Sequence, residues 1–311
     1  YWALGANTTG SHNTGMGKSA LYANTTGGDN TAFGSGALDS NTTGNYNTAI
    51  GKDALGVQTS GGEANVAVGR YALHYNSTGD SNTAVGSNSL TANTGGGDNT
   101  AVGFNSLYAA TTGHYNTAVG CNALKALTTS SGSTAVGEDA LLSATTGAQN
   151  TAMGQSALRL HTTGHYNLAI GANSLAANTT SSFNTAIGYS TLNANTTGAS
   201  NVAVGKYALD ANTTADYNCA FGRNALSAVT TQGQLTAFGD SALGANTSGA
   251  QNASFGTQSS YNNTTGSSNV AVGYAALWTN STGDNNTAVG RDALYYGDGN
   301  NNTAVGNEAL E

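Results

Sequence analysis

The chain has 311 residues, with 44 glycines, no proline, charged residues at 8% and a formal net charge of −8. Ordinary globular domains carry roughly 25% charged residues, and disordered chains pair high charge with low hydrophobicity. Here hydrophobic residues reach 38%, so disorder is excluded. The thin acidic balance without a basic stripe argues against nucleic acid, and the lack of a long apolar run argues against a membrane span.

Taken in chain order, the first element is NTGMG at 13–17. Its relatives are NTAFG at 30–34, NTAIG at 47–51, NVAVG at 65–69, and NTAVG at 82–86, 99–103 and 116–120. STAVG follows at Ser133, NTAMG at Asn150, NLAIG at Asn167, NTAIG at Asn184 and NVAVG at Asn201. NCAFG starts at Asn218, LTAFG at Leu235, NASFG at Asn252, NVAVG at Asn269, and NTAVG at Asn286 and Asn302. Successive copies lie 17 residues apart, except for one step of 18 after Asn47 and one of 16 after Asn286. A fixed period of this kind marks a repeat architecture.

Numbering slots from the leading Asn, the unit reads NTAVGxxALxANTTGxx. Slot 4 takes only Val, Ile, Phe or Met, and slot 9 is Leu in almost every copy. Every Lys and Arg falls at slot 6 or slot 10, and no acid occupies slots 1–5, 8 or 9. Slots 2–4 alternate as a short strand does, closed by Gly at slot 5 and again at slot 15. Thr and Asn are mediocre helix formers. The expected fold is all-β, a parallel β-solenoid or β-roll of about eighteen 17-residue repeats within a trimeric fibre. It is expected to form a single continuous array over 1–311, a capless window of a longer fibre, stacking at about 4.8 Å per coil into a rod of about 80–90 Å.

This register assigns roles. The predicted core is Val85, Leu90, Val102, Leu107, Ile170, Leu175, Ile187, Leu192, Val204 and Leu209, from slots 4 and 9. The predicted ladder and corner residues are Asn47, Asn82, Asn99, Asn116 and Asn184, with Gly86 and Gly103. Stacked Asn amides donate to one neighbour and accept from the other, and Asn and Gly tolerate left-handed corners. Asn41 reads the same way. Phe221, Phe238 and Phe255 should stack in three successive coils. Ser260 stands where Leu belongs in the Phe255 copy, which reads as a large-for-small exchange across one core. Slot 3 is almost always Ala (Ala49, Ala101, Ala186, Ala288), so a surface must lie close against it. That surface is either the opposite wall of a narrow solenoid or a neighbouring chain, and a homotrimer is the favoured expectation.

Motifs with chemistry are few. His161 and His165 are four apart, but HTTGHY falls in the turn between coils, which does not support a metal pair. His165-Tyr166 and His114-Tyr115 occupy the same slots three coils apart and read as surface loop variants. Cys121 and Cys219 are too far apart in a rod to pair. No metalloprotease, redox, nucleophile-elbow or phosphate-loop pattern occurs. No catalytic residue, cofactor site or metal site is therefore expected. Sequons such as Asn24-Thr25-Thr26 recur because the turn recurs. Tyr46, Tyr115, Tyr166, Phe183 and Tyr217 share slot 17, where aromatics either contact a partner or cover the ladder.

The NTAVGxxALxANTTGxx units resemble the repeats of bacteriophage tail-fibre and related surface proteins, over essentially the whole chain. The short NVAVG core at 65–69, 201–205 and 269–273 is similar to a motif in the heads of trimeric autotransporter adhesins, though the period differs. Both resemblances imply homotrimeric, extracellular, non-catalytic fibres acting as spacers or adhesins toward a receptor or cell-surface glycan. The expected function is thus a structural or adhesive fibre shaft. One alternative is an ice-binding solenoid using stacked Thr columns of the N-T-T-G turn. Another is a polysaccharide-cleaving β-helix, which the scattered acids disfavour.

Overall fold

The computed structural model describes residues 2–58 and 61–310, and among them the chain is all-β, with parallel strands stacked as a solenoid of about 17 residues per turn. It divides into two compact units, 1–155 and 156–311, built from the same coil. The first unit holds β1 (Thr14–Met16) to β9 (Thr151–Met153), and the second holds β10 (Leu168–Ile170) to β18 (Thr303–Val305), every strand three residues long.

Within each unit every strand pairs slot on slot with the next: Thr31 with Thr48, Ala32 with Ala49 and Phe33 with Ile50 in the first unit. In the second, Leu168 pairs with Thr185, Ala169 with Ala186 and Ile170 with Ile187. The two irregular turns keep this register, Thr48 facing Val66 across the long one and Thr287 facing Thr303 across the short one. Length is therefore absorbed in the loops. The extra residue falls within Gly56–Ala64, where Thr59 and Ser60 lie outside the described residues. In the short turn a side chain replaces backbone. Elsewhere the slot-13 carbonyl accepts from the coil before it, as Thr42 does from Thr25 at 2.9 Å and Thr26 at 3.2 Å. The Asp298 carboxylate takes that place, accepting the Ser281 and Thr282 N–H groups at 2.8 Å each.

The local sequence accounts for the coil. Thr, Val and Ile at slots 2 and 4 are stiff at χ1 and favour extended backbone. The strand ends at a slot-5 glycine, with φ of +134° at Gly86 and +133° at Gly103. A Cβ on Gly86 would lie 2.6 Å from the Gly103 carbonyl oxygen, so stacking itself requires glycine here. The chain then turns, with Ala37 N–H donating to Gly34 O at 3.4 Å and Asn41 N–H to Leu38 O at 3.2 Å.

Two assignments need correction. The first concerns the left-handed corners. They fall not on the slot-1 Asn but on slots 7, 9 and 17, for example Asp53 (φ 53°), Leu55 (φ 49°) and Tyr46 (φ 60°). Left-handed Leu costs roughly 1–2 kcal/mol, and burying its side chain returns about 1.5–3 kcal/mol. A corner that points Leu inward is thus sustainable, whatever Leu prefers locally.

The second concerns the faces of the strand. Slot 3 points inward and slots 2 and 4 outward, because alternate strand residues face opposite sides. Ala84, Ala101, Ala186 and Ala203 are fully buried, whereas Val85 is 37% exposed and Val102, Ile170, Ile187 and Val204 are half-buried. These five slot-4 residues are therefore not core. Leu90, Leu107, Leu175, Leu192 and Leu209 are fully buried. The core is a column of Leu and Ala, walled by Asn. Slot 3 is small because the solenoid's own opposite wall is close, which removes the slot-3 ground for a neighbouring chain. Phe221, Phe238 and Phe255 do stack, at 4.7 and 5.2 Å between ring centroids. They do so on the outer face, with Phe255 at 40% exposure, while Ser260 is buried inside. The two residues cannot exchange volume across one core.

Candidate interaction surface

The inner walls carry two Asn columns. At slot 1, Asn47 N–H donates to Asn30 Oδ1 at 2.9 Å, and Asn47 Nδ2 donates to the Gly62 carbonyl at 2.8 Å. The pattern recurs: Asn82 bonds Asn65 Oδ1, Asn99 bonds Asn82, Asn116 bonds Asn99, and Asn184 bonds Asn167, each at 2.9–3.1 Å through its backbone N–H. At slot 12, Asn41 Nδ2 donates to Asn24 Oδ1 at 2.9 Å. These side chains are buried, so they serve the fold and present nothing to a ligand. His161 belongs to the same slot-12 column. It is fully buried, with Nδ1 2.7 Å from Asn178 Oδ1 and Nε2 2.8 Å from the Gly164 carbonyl. Burial pushes its pKa below the ordinary value against the opposing effect of those hydrogen bonds.

The outward residues form the candidate surface. Tyr46, Tyr115, Tyr166, Phe183 and Tyr217 at slot 17 are 54–69% exposed. Only Tyr166 and Phe183, in successive coils, come together, stacked at 5.4 Å. The other three are isolated by coils with smaller residues and build no common site. The slot-13 threonines spend their hydroxyls on backbone, as Thr25 does on the Thr42 carbonyl at 3.0 Å and Thr264 on the Ser281 carbonyl at 3.0 Å. Cys121 is exposed and Cys219 half-buried, both as free thiols. Among the described residues no three His, Cys, Asp or Glu side chains group as a metal site, and no helix is long and apolar enough to cross a membrane.

Sequence reading missed the side of the coil formed by slots 6, 7, 10 and 11. In the first unit an open cleft of about 470 Å³ is lined by Arg70, Tyr71, His74, Tyr75, Asn88, Thr91 and Tyr108. Arg70 lies over the Tyr71 ring at 4.4 Å, and the His74 and Tyr75 rings meet edge to face at 4.5 Å. In the second unit a cleft of about 430 Å³ includes Gln258, Tyr274, Trp278, Arg291, Tyr295 and Tyr296. There Tyr261, Trp278 and Tyr295 form a stacked column, and Tyr295 meets Tyr296 edge to face at 4.7 Å. The overlooked signal was glycine at slot 10. Gly56 and Gly244 each precede an aromatic ring at slot 10 of the next coil. A Cβ on either would meet that ring, at 2.7 Å from His74 and 3.0 Å from Tyr261.

Searches against protein-family models, curated proteins and solved structures find no match to the chain.

Proposed function

We propose that the chain is a non-enzymatic shaft of an extracellular surface fibre, a phage tail fibre or bacterial surface filament, whose outward residues meet a receptor or cell-surface glycan. The observation that carries this reading is the division of the coil. Inward slots repeat the same residues from coil to coil, while slots 6, 7, 10, 16 and 17 vary freely. Such a chain encodes length and stiffness in its interior and recognition on its exterior. The tail-fibre resemblance supports the same reading. Immunogold electron microscopy of particles bearing the chain tests it, labelled filaments being the expected result and a wholly unlabelled surface the contrary one. Lateral association into a homotrimer now rests on the outward slot-4 column, where Phe33, Ile50, Met153 and Val272 are 38–52% exposed. Sedimentation should give a trimer, and a folded monomer of 30.8 kDa at micromolar dilution would rule it out.

One observation favours ice binding as a second reading. The outward face sets a Thr column beside a Val column over four consecutive coils, from Thr83 and Val85 to Thr134 and Val136. An assay of ice recrystallisation decides it: inhibition by the parent that Thr100→Lys abolishes supports ice binding, and no inhibition ends it.

A further inference from the structure

The two clefts are built from one recurring sequence. Residues 70–75 read RYALHY and residues 291–296 read RDALYY, so each coil sets Arg at slot 6 and aromatic rings at slots 10 and 11. Tyr75 and Tyr296 are the only aromatics at slot 11 in the chain. Each of them lines one of the two clefts. The geometry recurs as well. The slot-10 and slot-11 rings stand edge to face at 68° in one cleft and 73° in the other. Tyr75 is 52% and Tyr296 70% exposed. Stability does not account for leaving such rings in water beside an arginine, because neither closes over the core.

We infer that each cleft is a carbohydrate-binding site that takes a pyranose unit of an oligosaccharide. The proposal deepens the display reading given above and rests on it only for its biological setting. The rings offer an apolar corner to the C–H face of a sugar, in the way that ring faces and edges accept apolar neighbours. The rim offers hydrogen-bonding groups of both kinds for vicinal hydroxyls. Arg70 and Asn88 stand at one rim, and Gln258 with the Arg291–Asp292 pair, Nε to Oδ2 at 2.9 Å, stands at the other. An apolar peptide would make no use of these charged and amide groups, whereas the hydroxyls of a sugar can donate to and accept from them. Both clefts are partly open to solvent, so a sugar can enter from outside.

The test uses the full chain on an array of neutral hexose, amino-sugar and acidic-sugar oligosaccharides. Solution titration of the array hits then follows the emission of Trp278 in a Trp2→Phe background, which removes the only other tryptophan. The proposal expects saccharide binding that falls about tenfold or more in Tyr75→Ala/Tyr296→Ala, the loss of one well-packed aromatic contact per site. Thr112→Ala at slot 14, exposed and outside both clefts, should leave binding unchanged. Circular dichroism of the double variant should match the parent, since both tyrosines are exposed. An array without signal, or binding that survives the double substitution, overturns the proposal. The fibre reading is judged separately: labelled filaments that bind no sugar refute only the clefts, and sugar binding by a chain found in no filament refutes only the fibre.

Discussion

The coil that begins at Asn30 and the coil that begins at Asn252 share a polar frame and differ in what fills it. In the first, Ala32, Ala37 and Leu38 are fully buried between Asn30 and Asn41. In the second, the same three slots hold Ser254, Ser259 and Ser260, all within 2% exposure. The Ser254 hydroxyl donates to Ser259 Oγ at 2.5 Å, and the Ser259 hydroxyl in turn donates to the Gly256 carbonyl at 2.8 Å. The frame is nonetheless the same: Asn30 Nδ2 reaches the Gly44 carbonyl at 2.8 Å, and Asn252 Nδ2 reaches that of Gly266 at 2.7 Å. Even the left-handed corner persists, with φ of 50° at Leu38 and 48° at Ser260. Register is therefore held by the Asn columns and the backbone ladder, and the apolar column adds stability to a path already set.

Breaking the comparison from the apolar side gives the largest effect. Leu38→Ser converts the first coil toward the second and should destabilise by about 2–5 kcal/mol, the range for removing a buried leucine side chain. The circular dichroism spectrum should stay the same at low temperature while the melting temperature falls. Breaking the frame comes next. Asn30→Ala removes the acceptor of the Asn47 N–H and a donor to Gly44, and should cost about 1–3 kcal/mol in a denaturant titration. Faster amide exchange should spread to the Asn47 coil, a signature that Leu38→Ser lacks if the frame sets register.

The comparison is sharpened by the reverse exchange. Ser260→Leu, into a corner that already has the leucine conformation, should stabilise by about 1–2 kcal/mol as other cavity-filling changes do. Failure to raise the melting temperature would mean that the serine coil has closed around its smaller side chains. The smallest effect is expected at His161, which replaces Asn in the slot-12 column. Its folded pKa is depressed by burial. Its contribution is therefore complete above the unfolded value of about 6.5 and is lost as pH falls through the folded one. His161→Asn should make the melting temperature less sensitive to acid in that window, with little change at neutral pH.

Much of the fold was legible because repetition exposes constraint. The 17-residue period, the parallel stack, the Leu column and the Asn ladder follow from which slots vary and which do not. The face of the strand was not legible from composition. Ala at slot 3 and Val at slot 4 both read as apolar, and size suggested that the larger one fills the core. The structure reverses this because the solenoid is too narrow at slot 3 for a side chain much larger than the methyl of Ala or the hydroxymethyl of Ser254. Leu38 and Leu55 in left-handed backbone were equally hidden, since local propensity puts Asn or Gly there. The aromatic clefts were missed because Tyr75 and Tyr296 depart from the repeat, and the reading gave most weight to what conforms to it.

The central claim, that slot 3 faces the core and slot 4 the outside, is tested most directly by paired substitutions on one strand. Ala84 is fully buried and Val85 is 37% exposed. Thermal melts of Ala84→Asp and Val85→Asp should differ sharply. Ala84→Asp places a charge with no partner inside the coil and should lower stability by several kcal/mol, while Val85→Asp should stay within about 1 kcal/mol of the parent. A Val85→Asp chain that unfolds while Ala84→Asp melts like the parent would contradict the account.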